Sequence, residues 1–263
     1  MTAFLVVPQW QGSPSSRAMR LVDGAQAIRS DLPASATREI DVPLEAGDEQ
    51  GSGIARYGSL EIVRERLRTA LASLDEPAIV IGGDCGVSVG AVEHVASEDV
   101  ALVWFDAHPD LNTPSTSTSG AFGGMVLASL IDSGAIDASR VVLAGVRQWD
   151  SAEEDYAAEH GVTSLDVEAA SRADGLAEVV AATGASRVYV HIDLDVLDPP
   201  EFGGLLEPIP FGMSPAALVS AIRALVERLP LAGASICSFA PETAERAVDD
   251  APTILRLIGA LRG

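Results

Sequence analysis

Short, largely apolar runs alternate along this chain with segments of helical period, and several runs stop at a glycine or an acid. Residues 78–81 (AIVI) lead into Gly82-Gly83-Asp84-Cys85, 100–105 (VALVWF) into Asp106, and 187–192 (RVYVHI) into Asp193. A strand with one wet face alternates apolar and polar residues; a strand without that alternation is covered on both faces. Strands of this kind separated by helices give a parallel sheet between helical layers. The pattern predicts strands at 4–7, 39–42, 78–81, 100–105, 141–146, 163–165, 187–192 and 231–239. It predicts helices at 18–28, 59–73, 87–96, 125–133, 152–160, 176–183, 214–228 and 252–261. Ser59 would cap the second helix, and Ser214-Pro215 opens the seventh with a cap and a proline at its first position. No linker or repeat interrupts the alternation, so residues 1–263 read as one α/β domain. With 48% hydrophobic residues the chain can bury a large core.

Open sheets of this class bind ligands beyond the carboxyl ends of their strands. The polar residues gather there: Asp84/Cys85, Asp106–Asp110, 147–150, 193–198 and 238–242. In the stretch ALVWFDAHPDLNTP, Asp106, His108 and Asp110 stand two residues apart. In extended backbone such residues share one side. The stretch VYVHIDLDVLDP repeats the arrangement with Asp193 and Asp195. A lone Asp at a strand end is usually a cap. Four convergent carboxylates would repel one another and raise each other's pKa unless a cation sat among them. Neither stretch contains Lys or Arg, so a metal is the economical partner. The donors suit Mn²⁺, Fe²⁺ or Zn²⁺, and there are enough of them for two ions.

Net charge excludes other classes. Seventeen Lys+Arg against 38 Asp+Glu leave −21, which opposes nucleic acid and anionic membrane. No apolar run is long enough to span a bilayer. The opening MTAFLVVPQWQG lacks the basic start of a signal peptide, and two cysteines, Cys85 and Cys237, are too few for a disulfide framework. The expectation is a cytoplasmic chain with reduced thiols.

The motifs Asp-Ala-His-x-Asp-Leu-Asn-Thr-Pro, Asp-x-Asp-x-x-Asp-Pro and Gly-Gly-Asp after a strand resemble the ureohydrolase family of arginases, agmatinases and formimidoylglutamases. The resemblance runs from about residue 81 to 241 and is nearest to arginase. It implies a three-layer α/β/α sandwich around a mostly parallel eight-stranded sheet. It also implies a binuclear Mn²⁺ centre that hydrolyses a guanidino group to urea and an amine, in a homo-oligomer (trimer or hexamer). By similarity Asp106 and Asp193 bridge the metals, Asp110 completes one shell, and His108 and Asp195 complete the other. Asp106 and Asp110 thereby enter the catalytic set. Asn112 and Ser119, in the loop NTPSTSTSGAFGG, match residues holding the amino-acid end of a substrate, and Asp150 and Glu153 match those receiving its α-ammonium.

Three positions depart from the pattern. Cys85 stands where the resemblance implies a His ligand; a thiolate there would favour Zn²⁺ or Fe²⁺, while an unligated thiol would leave one metal site weak. Gly123 replaces a loop His, and Ser238 replaces a Glu that binds guanidinium. Glu207, in GLLEPIP, is the carboxylate that would take over that role. Two readings follow: a divergent metal-dependent hydrolase of a linear amidine or guanidine, or an arginase-like protein that binds an amino acid or metal without turnover.

Overall fold

The computed structural model describes residues 2–263. The chain begins with β1 (Ala3–Val7), α1 (Met19–Ser30), β2 (Thr37–Glu39) and α2 (Tyr57–Leu71). Next come β3 (Ala78–Gly82), α3 (Val87–Val95), β4 (Val100–Phe105), α4 (Val126–Asp132), β5 (Val141–Ala144) and α5 (Ser151–His160). It closes with β6 (Thr163–Leu165), α6 (Val167–Ala170), α7 (Ala173–Ala182), β7 (Arg187–Asp193), α8 (Pro215–Arg228), β8 (Leu231–Cys237) and α9 (Ala244–Leu261).

All eight strands form one parallel sheet in the order β2-β1-β3-β8-β7-β4-β5-β6. Alternate side chains enter two cores. Phe4, Ile79, Ile81, Val103, Phe105, Val190 and Ile192 pack with residues of α1, α7, α8 and α9. Leu5, Val80, Leu102, Trp104 and Tyr189 pack with residues of α2, α3, α4 and α5. This is why the central strands read as unbroken apolar runs: both faces are dry. The expected three-layer α/β architecture is the observed one, and the sheet is wholly parallel.

The topology places the site. After β3 the chain skips two strand positions to β4, and β7 and β8 later fill the gap. The carboxyl ends of β3, β8, β7 and β4 therefore lie side by side, with Asp193 in register with Cys237. Gly83 follows β3 because the backbone of the first loop crosses it: a Cβ there would stand 1.7 Å from the Gln9 carbonyl oxygen.

Several boundaries differ from the sequence expectation. The second strand is Thr37–Glu39 rather than 39–42, since only residues 37–39 pair with β1. Ser59 lies inside α2 and donates its hydroxyl to the Glu45 carbonyl instead of capping. The last helix starts at Ala244, eight residues before Pro252. Thr243 caps it by accepting the Arg246 N–H, and the proline is carried within the helix. Proline removes one helical hydrogen bond. Here that bond would have ended on Val248, whose side chain is on the water side.

Candidate metal centre and substrate pocket

The structure brings Cys85, Asp106, His108, Asp110, Asp193 and Asp195 to the floor of one cavity of about 400 Å³. That volume is within the range of small-molecule sites. Asn112, Ser119, Asp150, Glu153, Glu207, Gly123 and Ser238 line the same cavity. Every candidate ligand and substrate-contact residue read from the sequence reaches it, although these residues come from seven separate segments.

The strand-end acids are fixed by backbone donors as much as by one another. Asp106 accepts the N–H of His108 at 2.6 Å and the indole N–H of Trp104 at 3.2 Å. Asp195 accepts the N–H of Ala107 at 3.0 Å, and its other oxygen lies 3.0 Å from His108 Nδ1. Asp193 accepts the N–H of Asp195 at 2.8 Å on one oxygen. On the other it receives the Ser238 hydroxyl at 2.5 Å and the Cys85 thiol at 2.9 Å. Asp110 has a positive φ of 52° and its carbonyl accepts the Leu127 and Ala128 N–H groups. Its Oδ2 is buried without a hydrogen-bond partner.

The electrostatics follow from crowding in a dry place. Burial and the charges of Asp195, Asp110 and Asp193 hold Asp106 well above the usual carboxylate range. Burial and the Asp195 charge raise Asp193 to about 7. Burial opposes the His108 imidazolium, but the hydrogen bonds and charges of Asp106 and Asp195 outweigh it and push the pKa to about 12. Among the described residues lining the cavity, His108 is the only basic side chain. The nearby guanidinium of Arg147 is spent on carbonyls of Asp195 (2.8 Å), Ile209 (2.7 Å) and Pro210 (3.0 Å).

A metal fits this donor set. An unpartnered buried carboxylate oxygen costs several kcal/mol in a dry interior (roughly 2–7 for a polar group), and Asp110 Oδ2 is such an atom. Asp106, His108 and Asp195 each offer a ligand atom, all within 4.8 Å of one another. A second group with the same spacing is Cys85, Asp106 and His191. His191 escaped the sequence reading because it sits inside an apolar strand, where a histidine passes for a core residue.

The pocket wall is tied together before any substrate enters. Asp150 caps α5, accepting the N–H groups of Ala152 and Glu153 at 3.0 Å. Its other oxygen accepts the Asn112 amide at 2.9 Å. Glu153 is buried, closes the capping box on Asp150 and accepts the Leu111 N–H at 3.2 Å. Burial raises its pKa. Ser119 accepts the Ala121 N–H at 3.2 Å. Glu207 lies at the exposed rim. Gly123 donates to the Gly12 carbonyl at 2.8 Å, and a Cβ would meet that oxygen at 3.2 Å, so a larger side chain is tight there. Asp84, beside the centre, is occupied elsewhere: it accepts the Gln9 amide and the N–H groups of Gly12 and Gly86 at 2.8–2.9 Å.

A parallel sheet with carboxylates and a histidine converging at its switch point defines a class of α/β protein with candidate cation ligands at its strand ends. Comparison with known proteins narrows the class. The arginase family matches residues 16–260. An arginase of Bacillus caldovelox is 29% identical over 252 residues, covering 85% of this chain and 83% of the relative. An N(omega)-hydroxy-L-arginine amidinohydrolase of Streptomyces lavendulae is 32% identical over 213 residues, covering 76% and 74%. The crystal structure of the Bacillus caldovelox arginase superposes with a TM-score of 0.86 at 25% identity, covering 100% of this chain and 99% of that one. The chain belongs to the arginase family.

Proposed function

We propose that the protein is a metal-dependent hydrolase that cleaves a C–N bond of a linear guanidino or amidino compound. The observation that carries this reading is the gathering of Asp106, His108, Asp110, Asp193 and Asp195 at the floor of one cavity, with Asp110 Oδ2 buried and unpartnered. Asp106, His108, Asp110, Asp193 and Asp195 would hold the ions, with Asp106, His108 and Asp195 close enough together to share one. When bound, such ions lower the pKa of a water and stabilise charge on a tetrahedral centre. Mn²⁺ is the family's metal by resemblance.

The chain's own residues set the rest. Asn112, Ser119, Asp150 and Glu153 form one wall and would orient an α-amino-acid end, the acids facing its ammonium. Leu206 and Trp149 also line the cavity and limit water. Ser238 donates to Asp193 and offers no anion, so a guanidinium would meet Glu207 at the rim and the carboxylates below. That arrangement favours arginine or a related guanidino compound entering from the Glu207 side, with urea and an amine released. We place the protein in the cytoplasm as a homo-oligomer (trimer or hexamer), on the family resemblance. No described helix is long and apolar enough to cross a membrane.

The test is a panel of guanidino and amidino compounds, with and without an α-amino-acid end, presented to the Mn²⁺-loaded protein. Release of urea or the corresponding amide from one of them is expected. Metal-loaded protein that hydrolyses none of them contradicts the reading and favours the binding-only alternative.

A further inference from the structure

The two groups of possible ligands differ in chemistry. Asp106, His108 and Asp195 offer two oxygens and one nitrogen. Cys85, Asp106 and His191 offer sulfur, oxygen and nitrogen, and all three are buried. His191 lies on β7, two residues before Asp193, stacked on Trp104 with ring centroids 3.5 Å apart. Its Nδ1 is held by two hydroxyls, Ser88 at 2.9 Å and Ser235 at 3.0 Å. Its Nε2 is buried and has no hydrogen-bond partner. Either serine oxygen can accept from Nδ1–H, and in that tautomer the ring presents a lone pair at Nε2, which is how metal-bound imidazoles are commonly oriented. The serine pair on α3 and β8, themselves 2.9 Å apart, supplies that outer partner.

We propose that Cys85, His191 and Asp106 form a thiolate–imidazole–carboxylate metal position suited to Zn²⁺, distinct in preference from the oxygen-rich position at Asp106, His108 and Asp195. Thiolate, imidazole and carboxylate are the three protein ligand types that Zn²⁺ takes, and three of them is the number an open zinc site carries. Soft sulfur selects Zn²⁺, Fe²⁺ or Co²⁺ over Mn²⁺, whereas the oxygen-rich position remains suited to Mn²⁺. The centre then holds two unlike ions. On binding, the Cys85 thiol gives up the proton that it now donates to Asp193, and that proton leaves to solvent. The imidazole comes from β7, from a residue that is fully buried beside the cavity. Cys237, which neighbours Cys85 across the β3–β8 pairing, stays outside this ligand set.

The inference rests on the reading of the cluster as a metal centre, and not on turnover. X-ray absorption on the full chain loaded with one equivalent of Zn²⁺ tests it without substitution. A shell containing one sulfur at about 2.3 Å and imidazole scattering is expected. A shell of oxygen and nitrogen alone overturns it, even if the metal-loaded protein hydrolyses a guanidino compound. Co²⁺ titration gives an independent reading. A thiolate-to-cobalt charge-transfer band is expected in the native protein and in Cys237→Ser, displaced by Zn²⁺ but not by Mn²⁺, and absent in Cys85→Ser. His191→Gln is expected to weaken Zn²⁺ at least about tenfold, while Mn²⁺ affinity at the other position changes little. A band that survives Cys85→Ser, or Zn²⁺ affinity unchanged in His191→Gln, contradicts the assignment.

Discussion

The ends of β4 and β7 and the ends of β3 and β8 build the two halves of one site by different means. On the β4–β7 side, carboxylates converge with one histidine, and backbone N–H groups of Ala107, His108 and Asp195 pin them. On the β3–β8 side, sulfur and hydroxyl groups fill the same space: Cys85, Cys237 and Ser238, with Ser88 and Ser235 beneath. The first half is set up to hold charge. The second is set up to hold protons: the Cys237 thiol beside it, burial and the Asp193 charge keep the Cys85 thiol well above its usual pKa. The difference teaches that the two halves of a shared-carboxylate centre can diverge separately. Asp106 belongs to both groups of possible ligands, and on the proposed reading its neighbours decide which cation each side prefers.

Removing that shared carboxylate breaks both halves at once. Asp106→Asn is expected to lower metal affinity by more than the roughly 100-fold that loss of an outer partner costs. Turnover on any substrate should fall with it. The metal-free variant should also melt lower than the native protein, because an amide has one acceptor oxygen for the His108 N–H and the Trp104 indole N–H that the two carboxylate oxygens now hold. Calorimetric metal binding beside a thermal melt checks both; tight binding retained by the variant would separate the halves after all.

Glu207 tests whether the anion for a cationic substrate has moved to the rim. Glu207→Gln is expected to reduce kcat/KM for a guanidino substrate about tenfold or more through KM, with metal content unchanged. Equal kinetics in the two proteins would return Glu207 to the solvated surface.

Proton uptake sharpens the comparison through pH. Asp193 is raised to about 7, Asp84 to about 6 and His108 to about 12, each above its value in an unfolded chain. The folded, metal-free protein therefore binds more protons than the unfolded chain between about pH 4 and 8, and stability falls as pH rises through that window. The lowered pKa of Asp195 acts in the opposite sense, its contribution being lost as pH falls. The net expectation is a metal-free Tm several degrees lower at pH 8 than at pH 5, at about 2–4 °C for each kcal/mol in a chain near this size. Metal loading should reverse the trend, since bound cations replace the protons. A metal-free Tm that rises from pH 5 to 8 would show that the carboxylates are not crowded.

The smallest expected effect separates a cap from a substrate contact. Asp150→Ala should cost about 1 kcal/mol by removing the α5 cap, while Asp150→Asn keeps the cap. If Asp150 also receives an α-ammonium, KM rises in both variants although only the alanine variant melts lower. KM unchanged in Asp150→Asn would leave the residue as a cap alone.

Much of this molecule could be read from the chain because dry strands leave a simple pattern. The runs at 78–81, 100–105 and 188–192 could only be buried on both faces, and the spacing of Asp106, His108, Asp110, Asp193 and Asp195 survives any choice of strand order. What could not be read depends on packing between distant segments. His191 lies in an apolar strand, and its free nitrogen is visible only once Ser88 and Ser235 are seen to hold the other side of the ring. The nearness of Cys237 to Cys85 needed the pairing of β3 with β8, which chain order alone does not give. The Asp150–Glu153 capping box is legible in its spacing, an Asp followed three residues later by a Glu at a helix start. Pro252 looked like a helix start because proline favours first turns; the Thr243 cap earlier in the chain opens the helix instead.

The central claim is that the two halves hold metal, and that they differ in which. It is tested most directly by equilibrating the metal-free chain with one equivalent of Zn²⁺ and an excess of Mn²⁺, removing unbound ions and measuring the metal content per chain. About one of each per chain is the predicted result. Two Mn²⁺ without Zn²⁺, or a total below one metal per chain, would contradict the account.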